Sequence, residues 1–164
     1  MSKIFITGSV ASGKTTLAKE LSSRLGAPWF ELDSIVHKRV GGERVKQSPE
    51  EQMREILAID TEGKWIFEGV FRDSYRGLLG MADIIIFLDA PLWKRRYHVL
   101  TRFIRQKLGA EPCGYKPNLR MLWLMYKWTR DFERNRSNFT AMLDEYRGKL
   151  IVISKPAEVY EQLS

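Results

Sequence analysis

The run Gly8-Ser9-Val10-Ala11-Ser12-Gly13-Lys14-Thr15 combines small residues, a lysine and a hydroxyl at the spacing G-x-x-x-x-G-K-[ST]. Glycines let successive backbone N–H groups point into one concavity, which suits an anion. Lys14 can reach the β- and γ-phosphates of a nucleotide, and the Thr15 hydroxyl can ligate Mg²⁺. We therefore expect this loop, together with Thr16, to bind a nucleoside triphosphate.

Such a loop needs a strand before it and a helix after it, and the flanking sequence meets both requirements. Residues 3–7 form a short apolar run, and residues 15–21 are typical of a helix opening. Further apolar runs alternate with helical segments, which favours a doubly wound α/β domain with a parallel sheet. The predicted strands are 3–7, 29–32, 64–68, 83–88 and 149–153, and the predicted helices include 49–60, 92–107, 118–146 (with a break near 135–137) and 156–162.

Polar side chains stand where the predicted strands end, and ligands of doubly wound sheets bind at that edge. We expect Asp33 to position or deprotonate the acceptor, Glu68 to hold a water on Mg²⁺, and Arg72 to bind an acceptor phosphate or carboxylate. The alternatives are an Asp33 helix cap, a Glu68 satisfied by backbone N–H groups and a solvated Arg72. Asp89, followed by Ala90-Pro91, is interpreted as a helix N-cap rather than a metal-side carboxylate.

Residues 92–146 form a helical excursion between the fourth and fifth strands of one predicted domain, 1–164. On its first helix, the pattern separates an apolar stripe from a basic side. The stripe contains Trp93, Tyr97, Leu100 and Ile104, and the basic side contains Arg95, His98, Arg102 and Arg105. On the second helix, we expect the aromatic residues Trp123, Tyr126 and Trp128 in the lid core rather than in a stacking platform.

Arginines of this excursion are candidates for catalysis. Phosphoryl transfer spreads negative charge over the moving group, and arginines brought over it stabilise that charge. A helical lid would also exclude water. Arg102 and Arg134 are the first candidates, and Arg136 is the next.

Composition narrows the classes of protein. The chain has 164 residues, of which 44% are hydrophobic, and this predicts a globular fold rather than disorder. The net charge of +7 suits polyanionic partners, either nucleotides or nucleic acid. The single cysteine, Cys113, excludes an intramolecular disulfide, is expected to be inert and fits a reducing cytoplasm. No apolar run is long enough to span a bilayer, so we expect a cytoplasmic protein without a membrane partner.

These residues together resemble the adenylate-kinase-like P-loop proteins, and within them the small bacterial DNA topology modulation (FlaR-like) proteins. The resemblance covers nearly the whole chain. Beyond the loop it rests on Leu32-Asp33, Trp65-Ile66-Phe67-Glu68-Gly69, Ile86-Phe87-Leu88-Asp89 with Pro91, and Arg134-Asn135-Arg136. The segment Glu68-Gly69-Val70-Phe71-Arg72 is similar to Asp-Gly-Phe-Pro-Arg of adenylate kinases, but it lacks the proline and replaces the Asp.

The resemblance implies a three-layer P-loop NTPase fold with a five-stranded parallel sheet in the order 2-3-1-4-5 and a mobile helical lid. It implies ATP and Mg²⁺ as cofactors, and a phosphate acceptor as second substrate. In that strand order the third strand neighbours the strand that carries the loop, which favours Glu68 over Asp89 on the metal side. Lys155, with Ser154 and Pro156, is implied beside the adenine.

These expectations lead to a Mg-ATP-dependent kinase that acts on a nucleotide or nucleotide-like acceptor. A small sugar or hydroxy-acid kinase is the near alternative, because the same scaffold serves both. A nucleotide-regulated DNA-topology or regulatory protein with little turnover is the alternative from another class. The +7 charge supports it, although the sequence has no DNA-binding motif. The acceptor and the oligomeric state are left open.

Overall fold

The computed structural model describes residues 3–109 and 118–162, so Cys113 lies outside the described residues. Over the described residues the chain forms seven strands and seven α-helices. In chain order they are β1 (Lys3–Gly8), α1 (Lys14–Leu25), β2 (Trp29–Glu31), α2 (Leu32–Val36), β3 (His37–Val40), β4 (Glu43–Lys46), α3 (Pro49–Asp60), β5 (Trp65–Gly69), α4 (Gly77–Met81), β6 (Ile84–Leu88), α5 (Leu92–Lys107), α6 (Leu119–Leu143), β7 (Leu150–Ile153) and α7 (Val159–Gln162).

Five strands form one parallel sheet in the order β2-β5-β1-β6-β7. Counted along the chain within this sheet, the order is 2-3-1-4-5, which confirms the expectation from the resemblance. The register places Glu31 beside Glu68 and Glu68 beside Ile6. The carboxyl ends of β2, β5 and β1 therefore finish at one edge of the sheet.

Side chains of the central strands alternate between two cores, one on each face of the sheet. Phe5 and Phe67 pack with residues of α2, α3, α4 and α6. Ile4 and Ile6 pack on the opposite face with residues of α1 and α7. The fold therefore has three layers, with helices on both faces of the sheet.

A two-stranded antiparallel hairpin of β3 and β4 was not predicted from the sequence. Its turn uses Gly41 and Gly42, whose φ angles of 60° and 89° favour glycine. All four residues of β4 are exposed, so this strand has no buried face that would produce an apolar alternation. The predicted strand 29–32 is also shorter in the structure, because Leu32 begins α2.

α6 continues through residues 135–137, where the sequence suggested a break. The Asn118 side chain caps the helix by accepting a hydrogen bond of 2.8 Å from the Met121 N–H. Asn135 and Thr140 donate from their side chains to the carbonyls of the residues four positions earlier. These local bonds satisfy the polar side chains without breaking the helix. Within the described part of the chain, no helix is long and apolar enough to cross a membrane.

The expectation that the aromatic residues of α6 form a lid core is wrong for two of them. Trp123 is 61% exposed and Trp128 is 45% exposed. Tyr126 is half-buried, and its hydroxyl donates to the Arg96 carbonyl on α5 at 3.3 Å. Trp123 and Trp128 therefore face solvent and do not form a core between α5 and α6.

α5 is rotated so that its apolar stripe faces outward. Arg95 takes a buried position and forms an ion pair with Glu133 of α6. Its Nε also donates to the Ala90 carbonyl at 2.8 Å, so most of the Arg95 guanidinium has hydrogen-bond partners. With this arginine inside, the apolar stripe of the helix is left exposed at Trp93, Tyr97, Leu100 and Ile104.

Candidate functional site

The loop between β1 and α1 has the backbone shape that its glycines permit. Gly8 and Gly13 have φ angles of 151° and 104°, and Ala11 also lies in the left-handed region at 58°. A Cβ at Gly8 would lie 2.5 Å from the Leu88 carbonyl oxygen of β6. Position 8 therefore needs glycine both for its backbone angles and for the close approach of the neighbouring strand.

Buried hydroxyl groups line this loop. The Oγ atoms of Ser9 and Ser12, and Oγ1 of Thr7 at the end of β1, have no hydrogen-bond partner among the described residues. A buried hydroxyl without a partner is costly, so these atoms favour a ligand that supplies acceptors. Phosphate oxygens are such acceptors, and the loop therefore fits the triphosphate that its sequence predicts.

Lys14 lies at the start of α1 and is only 7% exposed. Its Nζ donates to the Ser9 carbonyl oxygen at 2.7 Å, across the loop. Burial lowers the pKa of the Lys14 ammonium from 10.5 to about 8, although the Glu68 carboxylate acts in the opposite direction. The loop thus holds a poorly compensated cation, and an anionic ligand would restore its pKa.

Glu68 lies on β5, next to the strand that carries the loop, and is 3% exposed. Its Oε1 accepts a hydrogen bond of 2.7 Å from the Thr15 hydroxyl. Burial raises the pKa of the Glu68 carboxyl, and the Lys14 ammonium and the Thr15 hydroxyl oppose that rise.

The hydrogen bond between Thr15 and Glu68 joins the two residues that we expected to bind Mg²⁺. Among the described residues, no group of three or more His, Cys, Asp or Glu could hold a metal ion. A hydroxyl and one carboxylate instead fit Mg²⁺, which keeps several waters and shares its coordination with substrate phosphates.

Asp33 stands in the first turn of α2, whose N-cap is Glu31, so the alternative of an Asp33 cap is excluded. Its carboxylate contacts three cationic or potentially cationic groups. The Arg72 Nη2 lies 3.4 Å from its Oδ1, the His37 Nδ1 lies 3.3 Å from the same oxygen, and Arg44 pairs with its Oδ2. The structure thus brings the two predicted acceptor residues, Asp33 and Arg72, together.

Arg44 was missed by the sequence reasoning. It belongs to β4, eleven residues from Asp33, and reaches the carboxylate only because the hairpin folds back toward α2. Its Nη2 also lies 3.3 Å from the His37 Nδ1. The Gly41-Gly42 turn was the one signal in the sequence that could have indicated the hairpin.

Asp89 does not cap α5, which corrects the preferred interpretation. The N-cap of α5 is Pro91, and no side chain accepts a hydrogen bond there. Asp89 instead makes a two-point contact with Arg136 of α6, whose Nε lies 3.2 Å from its Oδ1 and whose Nη2 pairs with its Oδ2. This contact raises the pKa of the Arg136 guanidinium. Arg136 is therefore at the sheet edge but is held by Asp89.

α5 reaches the phosphate loop directly. The His98 ring places Nδ1 3.1 Å from the Ala11 carbonyl oxygen. Arg102, one turn further, is exposed, and its charge contributes to the lowered pKa of Lys14. Arg134 is exposed on α6. Of the three predicted lid arginines, the structure brings Arg102 toward the loop and Arg136 to the sheet edge, and His98 is a contact that the sequence reasoning missed.

The segment after β7 lies beside the loop. Pro156 Cγ is 3.6 Å from the position of a Cβ built at Gly13. The Glu158 carboxylate accepts from the backbone N–H groups of Ser154, at 2.7 Å, and of Lys155, at 3.3 Å. Lys155 is exposed. The segment therefore lies next to the phosphate loop, and its role beside a nucleotide stays a prediction.

Similarity to known proteins agrees with this geometry. No family model matches the chain. The chain is 26% identical to a shikimate kinase of Salinibacter ruber over 88% of its own length and 71% of that protein. It is 31% identical to a putative adenylate kinase of Thermococcus onnurineus over 53% of its length and 48% of that protein.

Among solved structures, an uncharacterized protein from Eubacterium ventriosum has a TM-score of 0.53 at 15% identity, and the match covers 99% of this chain and 96% of that one. The likeness supports the fold alone. The fold is a three-layer α/β fold with a five-stranded parallel sheet, and the named sequence relatives support a P-loop kinase-like protein.

Proposed function

We propose that the protein transfers the γ-phosphoryl group of Mg-ATP to a small acceptor. The observation that carries this proposal is the 2.7 Å hydrogen bond between Thr15 and Glu68, which joins the loop hydroxyl to the carboxylate of the neighbouring strand. A loop that only bound a nucleotide would not need the second cluster around Asp33 and Arg72. The kinase names of the sequence relatives support the same class of reaction.

On the donor side, residues 8–16 bind the phosphates of ATP, and Lys14 exchanges the Ser9 carbonyl for a phosphate oxygen. Thr15 would ligate Mg²⁺ directly and Glu68 would hold one of its waters. Mg²⁺, when bound, neutralises charge on the β- and γ-phosphate oxygens. Lys155 would flank the adenine, as the resemblance implies.

On the acceptor side, Asp33 orients the attacking group, and Arg72 binds the anionic part of the acceptor. Arg44 reaches the same carboxylate and adds a second guanidinium. In this proposal residues 92–146 form the lid of a single domain, 1–164. Arg102, Arg134 and Arg136 of the lid stabilise the transferring phosphoryl group, and Arg136 must first release Asp89.

A nucleotide or nucleotide-like molecule is our first candidate for the acceptor. A hydroxy acid is the second candidate, because a relative that matches 88% of the chain is named shikimate kinase. Two arginines suit both acceptors, since guanidinium groups bind phosphates and carboxylates alike. Membership of the DNA topology modulation subgroup is a finer proposal that rests on the residue resemblance alone.

ADP release from Mg-ATP tests the proposal. A panel of nucleoside monophosphates, shikimate and neutral sugars is offered as acceptors, and one phosphate- or carboxylate-bearing class is expected to stimulate release. Lys14→Ala should abolish the stimulated rate, whereas Lys19→Ala, which changes an exposed lysine of the same helix, should preserve it. Absence of stimulation by every acceptor would contradict the kinase and favour a nucleotide-regulated DNA-binding protein with little turnover.

A further inference from the structure

The outer side of α5 carries large apolar side chains in water. Trp93 is 69% exposed, Tyr97 is 61% exposed and Ile104 is 46% exposed. Together with the exposed Leu100 they recur every three to four residues, so they form one stripe along a helix about 24 Å long. A contiguous stripe of large apolar side chains in water indicates a surface that contacts something else.

α6 extends the stripe. The Tyr126 hydroxyl donates to the Arg96 carbonyl, and a cavity of about 150 Å³ is lined by Arg96, Trp123, Tyr126, Lys127 and Arg130. This cavity places the exposed Trp123 beside α5. We call the resulting surface the outer helical face, which consists of Trp93, Tyr97, Leu100, Ile104, Leu119 and Trp123.

The outer helical face is separate from the phosphate site. At about 100° of rotation per residue, its α5 members lie roughly 150° around the helix from His98 and Arg102. His98 is the residue that contacts the loop at Ala11. A ligand on the outer helical face would therefore leave the phosphate loop accessible.

The positive charge of the chain is concentrated on the same two helices. α5 carries six basic residues and no acidic residue, and α6 carries five basic and two acidic residues. Together they have a net charge of +9, whereas the rest of the chain is −2, since the whole chain is +7. Arg96, Lys127 and Arg130 border the exposed rings directly.

We propose that the outer helical face binds the surface of an anionic lipid bilayer. Apolar and aromatic side chains in a stripe with Lys and Arg beside it are the features of helices that lie in the membrane interface. Trp and Tyr suit the headgroup level, Leu and Ile reach the acyl boundary, and the cations meet anionic headgroups. The expectation of no membrane partner rested on the lack of an apolar run long enough to span a bilayer, and this proposal departs from it because a peripheral contact needs no such run.

Two other occupants fit less well. A second copy of the chain would bring Arg96, Lys127 and Arg130 of both copies together, and the repulsion between these like charges would oppose a symmetric contact. A single-stranded nucleic acid would use the rings for stacking and the cations for phosphates. It would leave Leu100, Ile104 and Leu119 in water, because bases stack on rings and do not bury aliphatic side chains along a helix.

Co-sedimentation of the full chain with lipid vesicles tests the proposal. One set of vesicles is pure phosphatidylcholine, and the other is equimolar phosphatidylcholine and phosphatidylserine. We expect binding to the anionic set only, and weaker binding as salt rises. Trp93→Ser with Ile104→Ser should weaken binding by about tenfold or more. Arg96→Gln with Arg130→Gln should weaken it by about 25-fold, at about fivefold for each cation.

Matched controls change exposed residues of other helices and strands. These are Leu25→Ser with Leu57→Ser, and Lys46→Gln with Arg54→Gln, and both pairs should bind like the wild type. Binding of a fluorescent ATP analogue by every variant verifies folding. The proposal is overturned if anionic vesicles are not bound, or if the stripe variant binds like its control. It is also overturned if only a single-stranded oligonucleotide is bound, or if the wild type forms a dimer that the stripe variant loses.

Discussion

Replacing Lys14 by methionine should stabilise the nucleotide-free protein while abolishing nucleotide binding. The Lys14 ammonium is buried, and it donates a hydrogen bond to the Ser9 carbonyl. Methionine has a similar length and fills the same space without a charge. The loop would therefore lose the cation that binds phosphate and, with it, the cost of burying that cation.

The size of the expected stabilisation follows from the pKa of the Lys14 ammonium. A fall from 10.5 to about 8 corresponds to about 3 kcal/mol of cost for the charged form. Loss of the hydrogen bond to Ser9 offsets roughly 1 kcal/mol of the gain. The net stabilisation is then about 2 kcal/mol, or a rise in Tm of about 4–8 °C for a chain of this size.

The pH dependence gives a second, independent check. Below pH 8 the lysine is protonated in both the folded and the unfolded state, and the full cost applies. Between pH 8 and 10.5 the folded state has released the proton and the unfolded state has kept it, so wild-type stability rises with pH relative to the variant. From pH 7 to about 9.5, the advantage of the variant should shrink by about 2 kcal/mol.

Urea unfolding with and without Mg-ATP measures these differences. Mg-ATP should raise the stability of the wild type and leave Lys14→Met unchanged. Lys19→Met, which changes an exposed lysine of the same helix, should differ little from the wild type under either condition. A Lys14→Met protein that is less stable than the wild type at pH 7, or a difference that does not change with pH, would refute the reasoning.

Three further predictions concern the same site. Glu68→Gln keeps an oxygen that accepts the hydrogen bond of the Thr15 hydroxyl but removes the negative charge. Turnover stimulated by the phosphoryl acceptor should therefore fall by about 100-fold. Retained turnover would move the metal role to Asp89. Arg72→Ala and Arg44→Ala should each raise the KM for the acceptor by about tenfold and leave the KM for ATP unchanged. A change in the KM for ATP instead would place these arginines on the donor side. Gly8→Ala should lower the free energy of unfolding, measured by urea titration, by about 2–3 kcal/mol, because the added Cβ would lie 2.5 Å from the Leu88 carbonyl oxygen. Gly80→Ala is the control, because a Cβ there meets nothing within 4 Å, and it should not lower the free energy of unfolding. Equal losses in the two variants would contradict the clash at Gly8.

Strong local signals explain why much of the fold was predictable. Residues 3–7, 64–68 and 83–88 are nearly continuous apolar runs, which is what strands covered on both faces require. The glycine and lysine spacing of the loop then fixes the direction of the first strand and the helix after it. The Thr15–Glu68 pair follows from the strand order, because β5 neighbours β1 and ends at the same edge.

The parts that the sequence did not predict depend on partners distant in the chain. The Asp89-Ala90-Pro91 pattern is typical of a helix cap, but Asp89 meets an arginine 47 residues away, and a two-point charged contact outweighs a local cap. Arg44 meets Asp33 only after β4, a strand whose four residues are all exposed, has paired with β3. Local propensity contains no information about either contact, since both are created by tertiary folding.

The orientation of α5 connects the two surfaces of the excursion. Arg95 is buried because Glu133 and the Ala90 carbonyl satisfy most of its guanidinium, which places that side of the helix inside. His98 and Arg102 follow at helical spacing and therefore face the phosphate loop, where His98 contacts Ala11. The same rotation leaves Trp93 and Tyr97 outside. Exposure of the aromatic stripe and delivery of basic side chains to the loop are thus two consequences of the buried position of Arg95, and a change at Arg95 should disturb both.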